Sequence, residues 1–388
     1  MLPSLQTTFS LIRQVNPRAY FNAFRGYCEG LLRVARPLSS PTILDIVLTK
    51  ACNLRCTFCI SYGSLKGDRW MDFGLYERIA RQLFPQAHSL FLCSGGEPLM
   101  YHRLREALRL AQHYRVSTFM ASNGTLLDRD TAQWLTDDQS LHELWISFDG
   151  SRKETLERIR RGASFDLILD NIEYLSALKK KRGLHFPRLA FRYVVMRSNA
   201  AELPEIFKLC ARHGVSQVKV KYLDVANDLD PDESLFYHRR LAAEVFAEAR
   251  RRASEWGIRL QLPLLPGLDN RHHQCLNPWR FCQIDADGSI RFCYRSWRQR
   301  LGFFDDGFES IWQGENYQKI RRTLDSDAPY FPYCQYCYAR RGVNWESSHN
   351  KNLHTDAYVI SGLETLQIPF NKRVEENVSS RRLRKAAK

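Results

Sequence analysis

The sequence predicts an α/β protein: a partial (β/α)6 TIM-like barrel followed by a small C-terminal cysteine-rich domain. Between residues 43 and about 222, short runs rich in β-branched and aromatic residues alternate with helix-period segments, the mark of repeated βα units around a parallel sheet. A Pro-rich stretch, Pro263-Leu264-Leu265-Pro266-Gly267, then interrupts the chain as a domain boundary would. Five of the eleven cysteines follow it.

Taken in order, residues 1–42 form an N-terminal helical extension bearing Arg13, Arg18, Arg25, Arg33 and Arg36, which packs on the barrel or lies on a membrane surface. Six strands are expected at 43–49, 89–93, 116–121, 143–148, 189–196 and 217–222, with helices near 74–84, 103–113, 130–136, 166–180 and 203–213. A long helix at 233–256 closes a barrel domain spanning 43–262. The cysteine-rich domain covers 263–345, and 346–388 is an extension whose last eighteen residues hold seven basic and two acidic side chains. Six βα units are too few for a closed eight-stranded barrel, and the chemistry of such a fold sits beyond the C-terminal ends of its strands.

Composition narrows the function. With 44% hydrophobic and 26% charged residues the chain is a folded protein, not a disordered or fibrous one. No apolar run approaches the roughly 20 residues that cross a bilayer, and no secretory signal opens the sequence, so a cytoplasmic protein without a transmembrane segment is expected. The net charge of +15 favours acidic partners without choosing among them. In a chain of 388 residues without a signal peptide, clustered cysteines point to metal binding or catalysis over disulfides.

Their spacing is informative. Directly after the first strand comes Cys52-Asn53-Leu54-Arg55-Cys56-Thr57-Phe58-Cys59, a C-x3-C-x2-C loop able to turn three thiolates toward one point. Soft thiolates select iron–sulfur clusters or zinc, and three of them leave one iron of a four-iron cube open. A zinc knuckle completed by a distant His or Cys is the alternative. After the second strand stands Gly95-Gly96-Glu97-Pro98; the third ends in Ser122-Asn123-Gly124-Thr125 and the fourth in Ser147-Phe148-Asp149-Gly150. Glycines let a backbone approach a ligand closely, and a carboxylate suits a cationic amine.

Together these motifs resemble those of radical S-adenosylmethionine (SAM) enzymes over roughly residues 43–225, including the aromatic Phe58 before the third cysteine. The resemblance implies that Cys52, Cys56 and Cys59 hold a [4Fe-4S] cluster whose open iron chelates SAM. It implies too that Gly95, Gly96, Glu97 and Pro98 hold the methionine ammonium, and that Ser147 and Arg160 reach the ribose or carboxylate. Asn123 and Asp149 stand at matching strand ends; each of Asn123, Asp149 and Arg160 would otherwise be a turn or helix-capping residue.

Past the boundary, Cys275, Gly288 and Cys293 are spaced C-x12-G-x4-C, followed by the pair Cys334 and Cys337. This resembles the SPASM and twitch modules, implying one auxiliary [4Fe-4S] cluster on Cys275, Cys293, Cys334 and Cys337; the further cysteines of a full SPASM pattern do not follow Cys337. A zinc ribbon is the alternative here. Cys282 is a substitute ligand or a buried thiol, while Cys28, Cys93 and Cys210 pack.

The implied reaction is reductive cleavage of SAM to a 5′-deoxyadenosyl radical that abstracts hydrogen from a substrate. An external one-electron donor such as flavodoxin or ferredoxin would supply the electron. The auxiliary cluster would accept the electron left on the substrate or shape the pocket. Candidate substrate-side groups are Arg192, Tyr222 and Asp224, the last as a catalytic carboxylate that takes a proton. The expected substrate is a peptide or protein side chain, with a separate peptide-recognition protein because residues 1–42 are short for an appended one. The runner-up is a small molecule such as an aminoglycoside or sugar, and a lipid is a further option. A zinc-bearing nucleic-acid binder, stacking bases on aromatics such as those in 291–298, is the reading from another class; it leaves Gly95–Pro98 and the three-cysteine loop without a purpose.

Overall fold

The computed structural model describes residues 16–59, 70–224, 229–263, 265, 275–293, 296, 299–326, 328–331 and 334. Helix α1 (Pro17–Leu31) leads into β1 (Ile43–Ile46), and the βα alternation then runs on. It comprises α2 (Phe73–Leu83), β2 (Ser89–Leu92), α3 (Leu104–His113), β3 (Ser117–Ser122), α4 (Arg129–Asp138), β4 (Glu143–Ser147), α5 (Lys153–Ile159) and α6 (Phe165–Lys181). It closes with β5 (Arg188–Val195), α7 (Ile206–His213), β6 (Gln217–Tyr222), α8 (Arg239–Glu255) and β7 (Arg259–Gln261). Polar caps start the helices where the sequence supplies them: Asp72 accepts from Leu75 N, Asp128 from Thr131 N and Ser164 from Leu167 N.

Strands β1 to β7 pair in chain order and in parallel. On its other side β1 pairs, also in parallel, with β8 (Phe281–Ile284) in the register Leu44↔Cys282 and Asp45↔Gln283. The antiparallel β9 (Ile290–Arg291) completes the sheet. Short helices α9 (Asn277–Arg280), α10 (Phe308–Trp312) and α11 (Glu315–Thr323) accompany this hairpin. The cysteine-rich segment beyond the Pro-rich stretch thus extends the barrel sheet directly.

One face of the sheet, with Leu44, Leu90, Met120, Leu144 and Phe191, packs against helix residues such as Ile79, Leu108, Leu135 and Ile172 in the main core. The other face carries a second cluster of Ile43, Phe91, Phe119, Trp145, Ala190 and Phe281, in which Phe91 and Phe119 stack with centroids 4.7 Å apart. Burying each such ring contributes about 2 kcal/mol.

The six strands read from the sequence are present. A seventh, Arg259–Gln261, has one apolar residue in three and offers no period to detect. The long helix begins at Arg239, six residues later than expected. Before it, Ser234 Oγ donates to Leu223 O and Ser234 bridges Met196, so bonds to the ends of β5 and β6 override helix formation.

Candidate functional site

The loop after β1 is held from two sides. Gly96 N–H donates to Thr49 O and Glu97 N–H to Ala51 O, both at 2.8 Å. Only glycine permits this approach: a Cβ on Gly96 would lie 1.9 Å from Ala51 O, and one on Gly95, whose φ is +89°, would lie 2.4 Å from Val47 Cγ1. Opposite, Arg55 N–H donates to Arg161 O and Thr57 N–H to Ile159 O, each at 2.9 Å. Asn53 adds a third tie, accepting from Asn123 Nδ2 and donating to Thr125 Oγ1, each at 2.8 Å.

Cys52 is exposed on this loop, and Cys56 and Cys59 are half-buried. Among the described residues no three His, Cys, Asp or Glu side chains converge on a metal-sized point. Burial pushes the Cys56 thiol up to about 11, with Arg160 drawing it back, and burial raises Cys52 as well. Metal binding at such thiols displaces protons.

Glu97 is buried, accepting from Asn123 N at 2.7 Å through Oε2 and from Leu99 N at 3.1 Å through Oε1. Burial raises its pKa, and these donors oppose the rise. Pro98 is buried and starts a short 3-10 turn. Ser147 is half-buried at the end of β4. Two residues on, Asp149 is fully buried; Oδ1 accepts from Val194 N at 2.6 Å, and Oδ2 lies 2.6 Å from Arg160 Nη2. The same guanidinium reaches Cys56 Sγ at 3.7 Å through Nη1 and stands 5.5 Å from the Phe58 ring centroid. Its Nε is buried without a hydrogen-bond partner among the described residues.

A cavity of about 230 Å³ opens beside the loop, lined by Phe58, Ile159, Met196, Leu223 and Leu229 with the carboxylates Asp230 and Glu233. The donor chemistry fits the expected groups. Three thiols lie on one loop, an arginine with an unsatisfied N–H reaches one of them, and a cavity lined in part by Thr57 and Phe58 of that loop opens alongside.

In the second cysteine group, Gly288 (φ +78°) closes the turn between β8 and β9, where Asp285 N–H donates to Ser289 O. Cys293 follows β9 and is buried, while Cys275 and Cys334 are half-buried. Asn277 Nδ2 lies 3.9 Å from Cys293 Sγ, and Cys334 packs on the main core. Cys337 lies outside the described residues. Cys282 and Cys210 are buried in the main core, Cys93 sits against the inner aromatic cluster, and Cys28 is half-buried on α1.

Of the substrate-side residues, Arg192 faces the barrel interior, with its guanidinium carbon 5.7 Å from the Trp145 ring centroid. Tyr222 does not: it is wholly buried on the helix side against Phe236 and Phe246, because Lys219 and Lys221 take the other face of β6. Asp224 is half-buried just past β6.

The interior also holds groups the sequence did not single out. Asp45 is buried, accepting from Ser94 Oγ at 2.5 Å and Gln283 Nε2 at 3.0 Å, and burial pushes its carboxyl up to about 6. Glu143 accepts from Lys219 Nζ at 2.7 Å and Trp145 Nε1 at 2.5 Å. The available signal was charge on apolar strands, as in Ile43-Leu44-Asp45-Ile46.

Fold and site together define an iron–sulfur enzyme of the partial-barrel class. Residues 46–210 match the Radical SAM superfamily and residues 275–338 match the SPASM iron–sulfur cluster-binding domain. The chain carries a radical SAM domain followed by a SPASM-type domain; it is an enzyme whose cofactors are SAM, a SAM-binding [4Fe-4S] cluster and an auxiliary [4Fe-4S] cluster.

Among its relatives, the mycofactocin maturase MftC of Mycolicibacterium smegmatis is 24% identical over 76% of this chain and 76% of its own. The AdoMet-dependent heme synthase of Oleidesulfovibrio alaskensis is 24% identical over 78% of this chain and 83% of its own. Among solved structures, Streptococcus suis SuiB bound to precursor peptide SuiA superposes with a TM-score of 0.60 at 18% identity, covering 77% of this chain and 70% of that one. No helix among the described residues is long and apolar enough to cross a membrane.

Proposed function

We propose that this enzyme is a maturase that modifies a peptide or protein side chain, with Cys52, Cys56 and Cys59 holding the SAM-binding cluster. The observation that carries the site assignment is Arg160, wedged between Asp149 and Cys56 with a buried N–H to spare. That donor suits the carboxylate of SAM beside the cluster. Asp149 orients the guanidinium, and Ser147, two residues before Asp149, stands at the end of β4. Glu97 and the backbone of Gly95 and Gly96 face the methionine ammonium, Asn123 fixes both Glu97 and the cluster loop, and the cavity beside Phe58 takes the planar base.

When bound and reduced, the cluster and SAM would supply a 5′-deoxyadenosyl radical able to abstract hydrogen from the substrate. The chain's own part is to position and to exclude water: the inner aromatic cluster dries the interior, and Glu143 neutralises Lys219. Asp45 and Arg192 are left as the polar groups that meet the substrate, with Asp224 at the mouth. Cys275, Cys293, Cys334 and Cys337 hold the auxiliary cluster.

A peptide substrate is supported by the maturase relative, by the peptide-bound neighbour of like fold and by the basic surface. We place the enzyme in the cytoplasm, where thiols stay reduced and a donor such as flavodoxin or ferredoxin is at hand. A small-molecule substrate is the second reading, favoured by the heme synthase relative.

Anaerobically reconstituted protein reduced with dithionite tests the assignment. We expect about eight irons per chain, from two four-iron clusters, SAM cleavage to 5′-deoxyadenosine, and loss of cleavage in Cys56→Ala. A short peptide encoded beside its gene should raise 5′-deoxyadenosine formation and lose hydrogen by mass. Turnover of a tetrapyrrole or sugar, with all such peptides inert, would establish the second reading.

A further inference from the structure

Helix α1 docks on the body of the protein by its small residues and turns its large ones outward. Ala19, Asn22, Gly26 and Gly30 are buried. A Cβ on Gly26 would stand 3.2 Å from Trp279 O and one on Gly30 2.8 Å from Leu276 Cδ2, so this face is seated too closely to admit larger side chains. The opposite face shows Tyr20, Phe21, Phe24 and Leu31, continued by Leu32 and Leu38, and Phe24, Leu32 and Leu38 are 67%, 77% and 79% exposed. Seven of the thirteen exposed large apolar side chains among the described residues fall within 20–38.

Scattered exposed apolar residues are ordinary, but a contiguous aromatic stripe marks a contact surface. Its charge is one-sided. Residues 16–40 contain four arginines and one acid, Glu29, which is occupied by Leu38 N, Ser39 N and Ser39 Oγ. Arg33 pairs with Asp325, whereas Arg18, Arg25 and Arg36 form no ion pair among the described residues, and Arg25 lies 5.0 Å over the Phe21 ring.

We propose that this face of α1 seats the enzyme on the surface of a bilayer containing anionic phospholipid. Tyrosine and phenylalanine settle at headgroup depth, leucines reach the acyl boundary, and arginines meet phosphate. Charge complementarity selects the occupant, since three arginines border the stripe and its one acid is already engaged. The inference rests on α1 alone and is independent of the substrate assignment.

Full-length protein, mixed with vesicles of phosphatidylcholine alone or with half phosphatidylglycerol, provides the test. Co-sedimentation is expected with the anionic vesicles only, weakening as salt is raised. The pair Phe21→Asp and Phe24→Asp should weaken it at least tenfold with far-UV circular dichroism and Tm unchanged, because both rings are exposed. No sedimentation with anionic vesicles overturns the proposal, as does sedimentation undiminished in the double variant, which would assign it to the basic residues of 371–388. A dimer that the double variant converts to a monomer, without vesicle binding, would make the face a contact between copies and likewise overturn it.

Discussion

Arg160 joins Asp149 to Cys56: one terminal nitrogen lies 2.6 Å from the carboxylate and the other 3.7 Å from the sulfur. Because the two charged side chains are only 8% and 0% exposed, neither has water to replace the other.

Removing the acid is therefore costly. Asp149→Asn leaves the guanidinium buried without its counter-charge, and breaking a buried pair this way costs about 3 kcal/mol. Thermal melts of the cluster-free protein should show that loss, and SAM affinity of the reconstituted protein should fall with it. In the double variant Asp149→Asn, Arg160→Met the melt should recover while SAM affinity does not. An unchanged melt in the single variant would mean that the pair is open to solvent.

Gly96→Ala separates crowding from backbone strain. The added methyl meets the backbone of Ala51, which no rotamer change relieves, so the cluster loop must shift. The expected cost is about 3 kcal/mol or more, with iron per chain after reconstitution reduced in proportion. Gly183→Ala is the control: its φ is +66° but nothing stands within 4 Å of the new methyl, so it should cost about 1 kcal/mol and leave iron content unchanged. Equal iron in both variants would sever the Gly96 loop from cluster retention.

Asp45 gives a pH signature. Burial raises its folded pKa from 3.8 to about 6, with Ser94, Gln283, the backbone at Cys93 and the charge of Arg192 pulling the other way. A raised folded pKa means that the native state holds the proton more tightly than the unfolded one. The contribution is therefore complete below about pH 4 and is lost as pH rises through 6. Asp45→Asn should erase that slope and gain about 3 kcal/mol at pH 7.5, read from urea midpoints at several pH values. Superimposable curves for wild type and variant would show that Asp45 is not a buried ion.

What the sequence disclosed was whatever is local. The C-x3-C-x2-C loop, the Gly95–Pro98 turn and the strand-end motifs are contiguous, and each of their expected positions falls at a strand end. The partnerships are not local. That Asp149 turns toward Arg160, or that Asn123 bonds both Glu97 and the loop at Asn53, depends on strands from different units coming side by side. Asp45 is a single charge in an apolar run, and its role emerges only once Gln283 lies next to it. Tyr222 ends β6 and so reads as a substrate-side candidate, although alternation with Lys219 and Lys221 already sends it to the helix side. β7 escaped notice since three residues with one leucine carry no pattern.

The pairing of β1 with β8 ties the earliest strand of the chain to one made some 240 residues later. A protein truncated before β8 would complete its βα units yet leave one edge of β1 bare, with unsatisfied backbone donors and acceptors beside the cysteine loop, the kind of edge that recruits foreign strands. During synthesis the barrel waits in that condition until its C-terminal part emerges. The SPASM-type segment is thus also the last stave of the barrel, and a chain that lacks it should be lost to aggregation before it is ever tested for catalysis.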